Sequence, residues 1–237
     1  MSYSILDILA VIGEGQFDAF KNTVKSEALD VNYKDVKGLS ILHHVIVHKG
    51  IDSSDRCKWV KLLASLGADV NAKNNDGLTP MFFAIMKEDT EIMKCLAGAG
   101  ADIHMPDNEG ETLIFTATGL GRTESIRCLV SLGVDVNTKN KKGYTPIFSA
   151  IMNKQDQIDS MKCLVKLGAD VNARTAQGFT PVFLAVSANK VESLKCLKEL
   201  GADLNAKSND GRTPLSFGIG LGDVPESVNW LKANGAV

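Results

Sequence analysis

The sequence predicts an all-α fold, a solenoid of helix-turn-helix units joined by short hairpin-like turns. Three observations carry that prediction. A glycine-centred phrase returns about every 33 residues, a second phrase keeps step with it, and the apolar residues between the two fall at helical spacing.

The first phrase is Leu-Gly-Ala-Asp-Val-Asn-Ala from Leu66. It returns as Ala-Gly-Ala-Asp-Ile-His from Ala99, Leu-Gly-Val-Asp-Val-Asn-Thr from Leu132, Leu-Gly-Ala-Asp-Val-Asn-Ala from Leu167 and Leu-Gly-Ala-Asp-Leu-Asn-Ala from Leu200, and Asn-Gly-Ala from Asn234 closes the series. Its glycines, Gly67, Gly100, Gly133, Gly168, Gly201 and Gly235, lie 33, 33, 35, 33 and 34 residues apart. The second phrase, Gly-Xaa-Thr-Pro, starts at Gly77, Gly143, Gly178 and Gly211, with weaker copies at Gly38 and Gly110.

One array is expected to span 1–237. It opens on a capping unit, 1–34, whose first helix should start with Ser4 as N-cap and Asp7 three residues on. Five full repeats follow over 35–207. In the repeat around Thr79-Pro80, the Thr hydroxyl is expected to accept an orphan helix N–H, and proline at the first helical position has its φ already set. Met81, Ala84 and Ile85 follow at helical spacing, a second helix carries Ile92, Met93, Leu96 and Ala97, and Gly100 supplies the left-handed residue that ends it. The Asp-Val-Asn that follows suits a turn, because both polar side chains bond nearby backbone. About six extra residues near 50–56 and two near 155–158 are expected in loops between paired helices. The last unit, 208–237, caps the array; its first helix contains Gly218, Gly220 and Gly222, each costing about 1 kcal/mol relative to Ala, so this end should fray first. Helices of two to three turns are unstable alone in water, so their apolar faces must be buried against neighbouring units.

With two phrases recurring in phase, the chain resembles the ankyrin-repeat family over essentially its whole length, in about seven units. The resemblance implies units of one turn and two antiparallel helices stacked side by side, with partners lying along the concave face formed by turn tips and first helices. It also implies no catalysis and no cofactor. The family's Thr-Pro-Leu-His is kept in part. His43 stands at its His, whereas Phe82, Phe115, Phe148 and Phe183 replace it, which implies ring packing where the family has a hydrogen-bond relay.

Composition narrows the function classes. With 44% hydrophobic and 23% charged residues the chain is globular, and 26 Lys plus Arg against 28 Asp plus Glu lack the basic excess of nucleic-acid binders. No stretch approaches the ~20 apolar residues that cross a bilayer, and the run 5–12 has no basic residue before it, wrong for a secretory signal. We therefore expect a monomer in the cytoplasm that binds neither membrane nor nucleic acid.

Searching for chemistry yields little. His44 and His48 have the i, i+4 spacing of a helical metal pair, but neither a third ligand nor a His-Glu-Xaa-Xaa-His pattern accompanies them. Cys95, Cys128, Cys163 and Cys196 each fall five residues before a helix-ending glycine, which reads as a register of buried thiols. Helices stacked ~8–10 Å apart hold equivalent cysteines beyond disulfide reach, and an odd count of five argues against a disulfide framework. Cys57, outside the register, is the candidate accessible thiol. Gly13-Glu14-Gly15 and Gly218-Ile219-Gly220-Leu221-Gly222 lack the strand and helix context of a phosphate loop.

A partner surface is the stronger reading. The Xaa column of Gly-Xaa-Thr-Pro holds Leu39, Leu78, Glu111, Tyr144, Phe179 and Arg212, four of them large and apolar, and the ends of the first helices add Val47, Met86, Leu120 and Met152. Such a strip exceeds what the scaffold needs and marks an interface. Lys34, Lys37, Lys73, Lys139, Lys141, Lys142, Arg174 and Lys207 outnumber Asp76, Glu109 and Asp210 along the turn tips, an edge suited to a partner with apolar side chains and acidic flanks. The expected function is a stoichiometric protein-binding module: adaptor, scaffold or inhibitor, including a toxin-neutralising immunity protein or host-directed effector. The alternative is an enzyme or a metal- or ligand-binding protein using His44, His48 or Cys57.

Overall fold

The computed structural model describes residues 12, 14, 17–25, 30–107 and 109–237; the expected cap at Ser4 and Asp7, and Gly13 and Gly15, lie outside them. The chain forms two compact units, Met1–Ile103 and His104–Val237. Among the described residues the secondary structure is helical, with one isolated bridge between Lys34 and Ser40. No helix is long and apolar enough to cross a membrane.

The first unit holds α1 (Phe17–Lys25), α2 (Ile41–Val47), α3 (Ser53–Ser65), α4 (Pro80–Lys87) and α5 (Thr90–Gly98). The second holds α6 (Leu113–Gly119), α7 (Thr123–Ser131), α8 (Pro146–Met152), α9 (Ile158–Lys166), α10 (Pro181–Ser187), α11 (Val191–Glu199), α12 (Pro214–Leu221) and α13 (Pro225–Ala233). Even-numbered helices are the first of each pair and odd-numbered ones the second. Within a unit, first helices pack on first helices, second on second, and the two of a pair on each other. Their buried stripes, such as Met81, Ala84 and Ile85 on α4, supply the core.

Gly67, at φ 91°, ends α3 as the left-handed residue expected of the glycine column, with Ala68 N–H donating to the Leu63 carbonyl at 2.9 Å. The Asn of Asp-Val-Asn does more than shape its own turn. Asn137 Nδ2 donates to the Gly168 carbonyl at 3.0 Å while its Oδ1 accepts from Asp170 N–H at 2.8 Å, so one amide ties a helix end to that of the next repeat. Asn32 does the same to Gly67 and Asp69 in the first unit.

Three local expectations are corrected. Thr79, Thr112, Thr145 and Thr180 hold the N-cap backbone conformation, but none accepts a helix N–H through its hydroxyl. The cause is visible at Ser40, whose hydroxyl lies 2.8 Å from His43 Nδ1. This hydroxyl pairs with the third helical residue, and where Phe148 and Phe183 fill that place the hydroxyls of Thr145 and Thr180 are buried without a partner. Only Thr213, with Ser216 three residues on, caps as expected, Ser216 N–H donating to its Oγ1 at 3.3 Å. Removing an orphaned hydroxyl sacrifices no bond, so Thr180→Val should leave the melting temperature unchanged or raise it, whereas Thr213→Val should cost about 1 kcal/mol by thermal unfolding.

The extra residues near 50–56 are shared between a loop and a longer helix: α3 runs 13 residues where α5 runs 9. The third correction concerns cysteine. Cys57 is not an open thiol and Cys95 is not an inert one, because a disulfide joins them, Cα atoms 5.8 Å apart. The partners are not equivalent positions, which is why the spacing argument missed them. Two register cysteines pack against the preceding second helix in the same way: Cys163 Sγ lies 3.8 Å from the Thr123 carbonyl, as Cys95 Sγ lies 3.8 Å from that of Cys57. Cys57 and Thr123 stand ten residues before Gly67 and Gly133, so both occupy one column. Cys128, Cys163 and Cys196 are reduced and buried, and burial pushes the Cys163 and Cys196 thiols upward in pKa.

In α12 the glycines differ in role. A Cβ on Gly218 would stand 2.8 Å from Val186 Cγ1 and 3.0 Å from Val228 Cγ2, while one on Gly220 would meet nothing within 4 Å. Gly218 thus lets α12 approach its neighbours closely.

Candidate partner-binding site

One polar side chain organises each turn and thereby places each Xaa residue. Asn140 Oδ1 accepts from Lys142 and Tyr144 N–H, both at 3.0 Å, and Asn140 N–H donates to the Tyr144 carbonyl at 2.9 Å. Asp35 positions Leu39 in this way, Asn74 positions Leu78, Asp107 positions Glu111 and Thr175 positions Phe179. At Ser208 only the backbone bond remains, its N–H donating to the Arg212 carbonyl at 2.9 Å, while the hydroxyl turns to Asp210. This column, four residues before each Xaa, was missed by sequence reasoning, although its run of Asp, Asn, Ser and Thr was readable as turn chemistry.

In the second unit the turn tips bring three of the expected residues to one aromatic cluster. The Tyr144 ring stacks on Phe148 at 5.0 Å, and Phe179 packs on Phe183 at 5.0 Å and on Phe217 at 5.3 Å. Phe148 and Phe183 are buried, while Tyr144, Phe179 and Phe217 are half-buried. The rings enclose a pocket of about 180 Å³, with Thr175 and the exposed Ser187 also on its wall. Arg212 lays its guanidinium 5.1 Å from the Phe217 ring centre, a cation–π distance. Its Nε donates to Asp210 Oδ2 at 2.7 Å, and this bond, with that from the Ser208 hydroxyl, holds the Asp210 carboxyl at a pKa of about 2. Phe217, at the fourth position after Thr213, went unread as a site residue because its column mixes His44, Phe83, Thr116, Ser149 and Leu184 and shows no pattern.

The remaining expected residues lie apart from that cluster. Leu120 and Met152 stand exposed at the ends of α6 and α8, and Glu111 Oε1 accepts from Asn140 Nδ2 at 3.0 Å, a tie between successive turns. In the first unit Leu39, Leu78 and Val47 are half-buried and Met86 is exposed. Part of the basic edge is structural: Lys34 Nζ donates to the Lys73 carbonyl at 3.0 Å and Arg174 Nη2 to that of Lys207 at 2.7 Å.

The histidines have local partners. Ser40 N–H donates to His43 Nδ1 at 3.0 Å, so Nε2 carries the proton and donates to the Leu78 carbonyl at 3.0 Å. Burial lowers the His43 pKa, and a proton on Nδ1 would face the Ser40 N–H. His44 Nε2 lies 3.1 Å from Asp35 Oδ2. Burial pushes the Asp35 carboxyl up, but bonds from Leu39 N–H, Lys37 N–H and His44 outweigh it and hold the pKa below its usual value. His48 Nδ1 accepts from Gly50 N–H at 3.1 Å, so His44 and His48 do not converge. Among the described residues no three His, Cys, Asp or Glu side chains gather as a metal site.

A family model described as ankyrin repeats (three copies) matches residues 8–107, 82–175 and 155–237. The chain belongs to the ankyrin-repeat family. Ankyrin repeats generally mediate protein–protein interaction, typically without catalysis. No curated protein matches the chain.

Proposed function

We propose that this ankyrin-repeat chain is a stoichiometric, non-catalytic binding protein, an adaptor or inhibitor, whose second unit anchors its partner through the aromatic pocket beside Arg212. The pocket's size carries the reading. At about 180 Å³ it falls below the ~300–1,000 Å³ of ordinary small-molecule sites and suits one large apolar side chain of a protein segment. Acidic residues flanking that side chain would meet Arg212 and Lys142 around the tips, with Leu120 and Met152 extending the contact. The first unit offers Leu39, Leu78 and Met86 as a further surface.

A photo-crosslinking residue at Ser187, on the pocket wall, tests this in the cell that makes the protein. It should yield a discrete protein adduct, and Tyr144→Ala with Phe179→Ala should abolish the adduct and weaken binding by about 30-fold or more. Because both rings also stack on buried ones, the double variant should lose about 1 kcal/mol per ring while keeping its helical spectrum. Adducts that persist without the rings, or that form equally from Lys195 on α11, would refute the assignment.

A further inference from the structure

The disulfide between Cys57 and Cys95 opens on a groove of about 490 Å³ between α3 and α5, walled by Lys61, Ala64, Glu91, Lys94 and Gly98. Within ordinary small-ligand dimensions, this groove admits a peptide-sized thiol. Cys57 is half-buried whereas Cys95 is 8% exposed, so an incoming thiol reaches Cys57 first. At the opening Lys94 Nζ pairs with Glu91 Oε1 at 2.9 Å, so Lys61 supplies the net positive charge, which favours an anionic attacker. The helix packing does not need the bridge. Cys163 contacts the Thr123 carbonyl at the distance Cys95 keeps from that of Cys57, and α7 packs on α9 with no covalent tie.

We propose that Cys57–Cys95 is a reversible thiol–disulfide exchange site for a low-molecular-weight anionic thiol of the glutathione kind, and that reduction removes a covalent clamp while α3 stays packed on α5. The thiolate attacks Cys57 Sγ, the sulfur–sulfur bond breaks, and Cys95 leaves as a thiolate that takes a proton from solvent. A second thiolate attacks the small-molecule sulfur of the mixed disulfide, releasing the small disulfide and leaving Cys57 as a thiol. Two electrons pass from two small thiols to the protein, and the reverse sequence closes the bridge.

The full chain is equilibrated over a series of glutathione and glutathione disulfide ratios, quenched with an alkylating agent and weighed by mass spectrometry. The Cys57–Cys95 pair should pass from bridged to doubly alkylated within the series. Full reduction should lower the melting temperature by about 10 °C, since a bridge across a 38-residue separation constrains the unfolded chain. Cys57→Ser should melt like the reduced wild type and not respond to the ratio. Lys61→Glu should slow reduction by glutathione about threefold or more while leaving the rate with neutral 2-mercaptoethanol unchanged. A pair that stays bridged at every ratio is a permanent cross-link, and one never bridged is no redox site; either result overturns the proposal. Equal slowing of both thiols by Lys61→Glu overturns the groove as the entry path.

Discussion

Ala84→Asp unfolds the first unit. Ala84 is fully buried on α4, which packs between α2 and α5, and it belongs to the buried apolar stripe with Met81 and Ile85. An aspartate there must either ionise without a partner or take up a proton, and in either form it overfills the contact. The cost is on the order of 4 kcal/mol or more, against roughly 5–15 kcal/mol for a whole domain. Far-UV circular dichroism should show the loss of helix at room temperature, and hydrogen exchange should show lost protection over residues 41–98. A variant that melts like the wild type would mean that α4 is not clamped between its neighbours.

Phe183→Ala is the second large effect. The ring is 1% exposed and touches Phe179 at 5.0 Å and Phe217 at 5.5 Å, so it forms the floor of the pocket. Truncating it should cost about 3–5 kcal/mol, several times the cost of truncating half-buried Tyr144, and should abolish the crosslink at Ser187 as the pocket collapses. Thermal unfolding of the two single variants orders them. If Phe183→Ala costs no more than Tyr144→Ala, the division into a buried floor and an accessible rim is wrong.

That division marks how far the site was legible. Tyr144 and Phe179 were readable as departures from scaffold need, because the Xaa column tolerates many residue types and here carries rings. Arg212 was readable as its neighbour in the same column. Whether those rings face solvent or seal the stack depends on what lies beneath them. Phe148 and Phe183 share a column with Phe82 and Phe115 and read as ordinary core, and Phe217 stands in a mixed column with Thr116, Ser149 and Leu184, so nothing in the sequence joined the three as one pocket floor. The Thr hydroxyls were misread for a related reason. A cap is a local rule, yet the partner of this hydroxyl is the third helical residue, and its replacement by Phe changed what the Thr does.

Periodicity by itself determined the helix pairs, the glycine-ended second helices, the turns and hence the family, because each follows from interactions within about four residues or from repetition of one packing unit. Tertiary structure alone decided which side chains meet across repeats: the Asn ladder, the aromatic pocket with its cation, and the bridge from Cys57 to Cys95. Those contacts join residues some 30–40 positions apart from different columns of the repeat. The offset between one helix and the next is set by how whole faces interlock, and no local pattern encodes it.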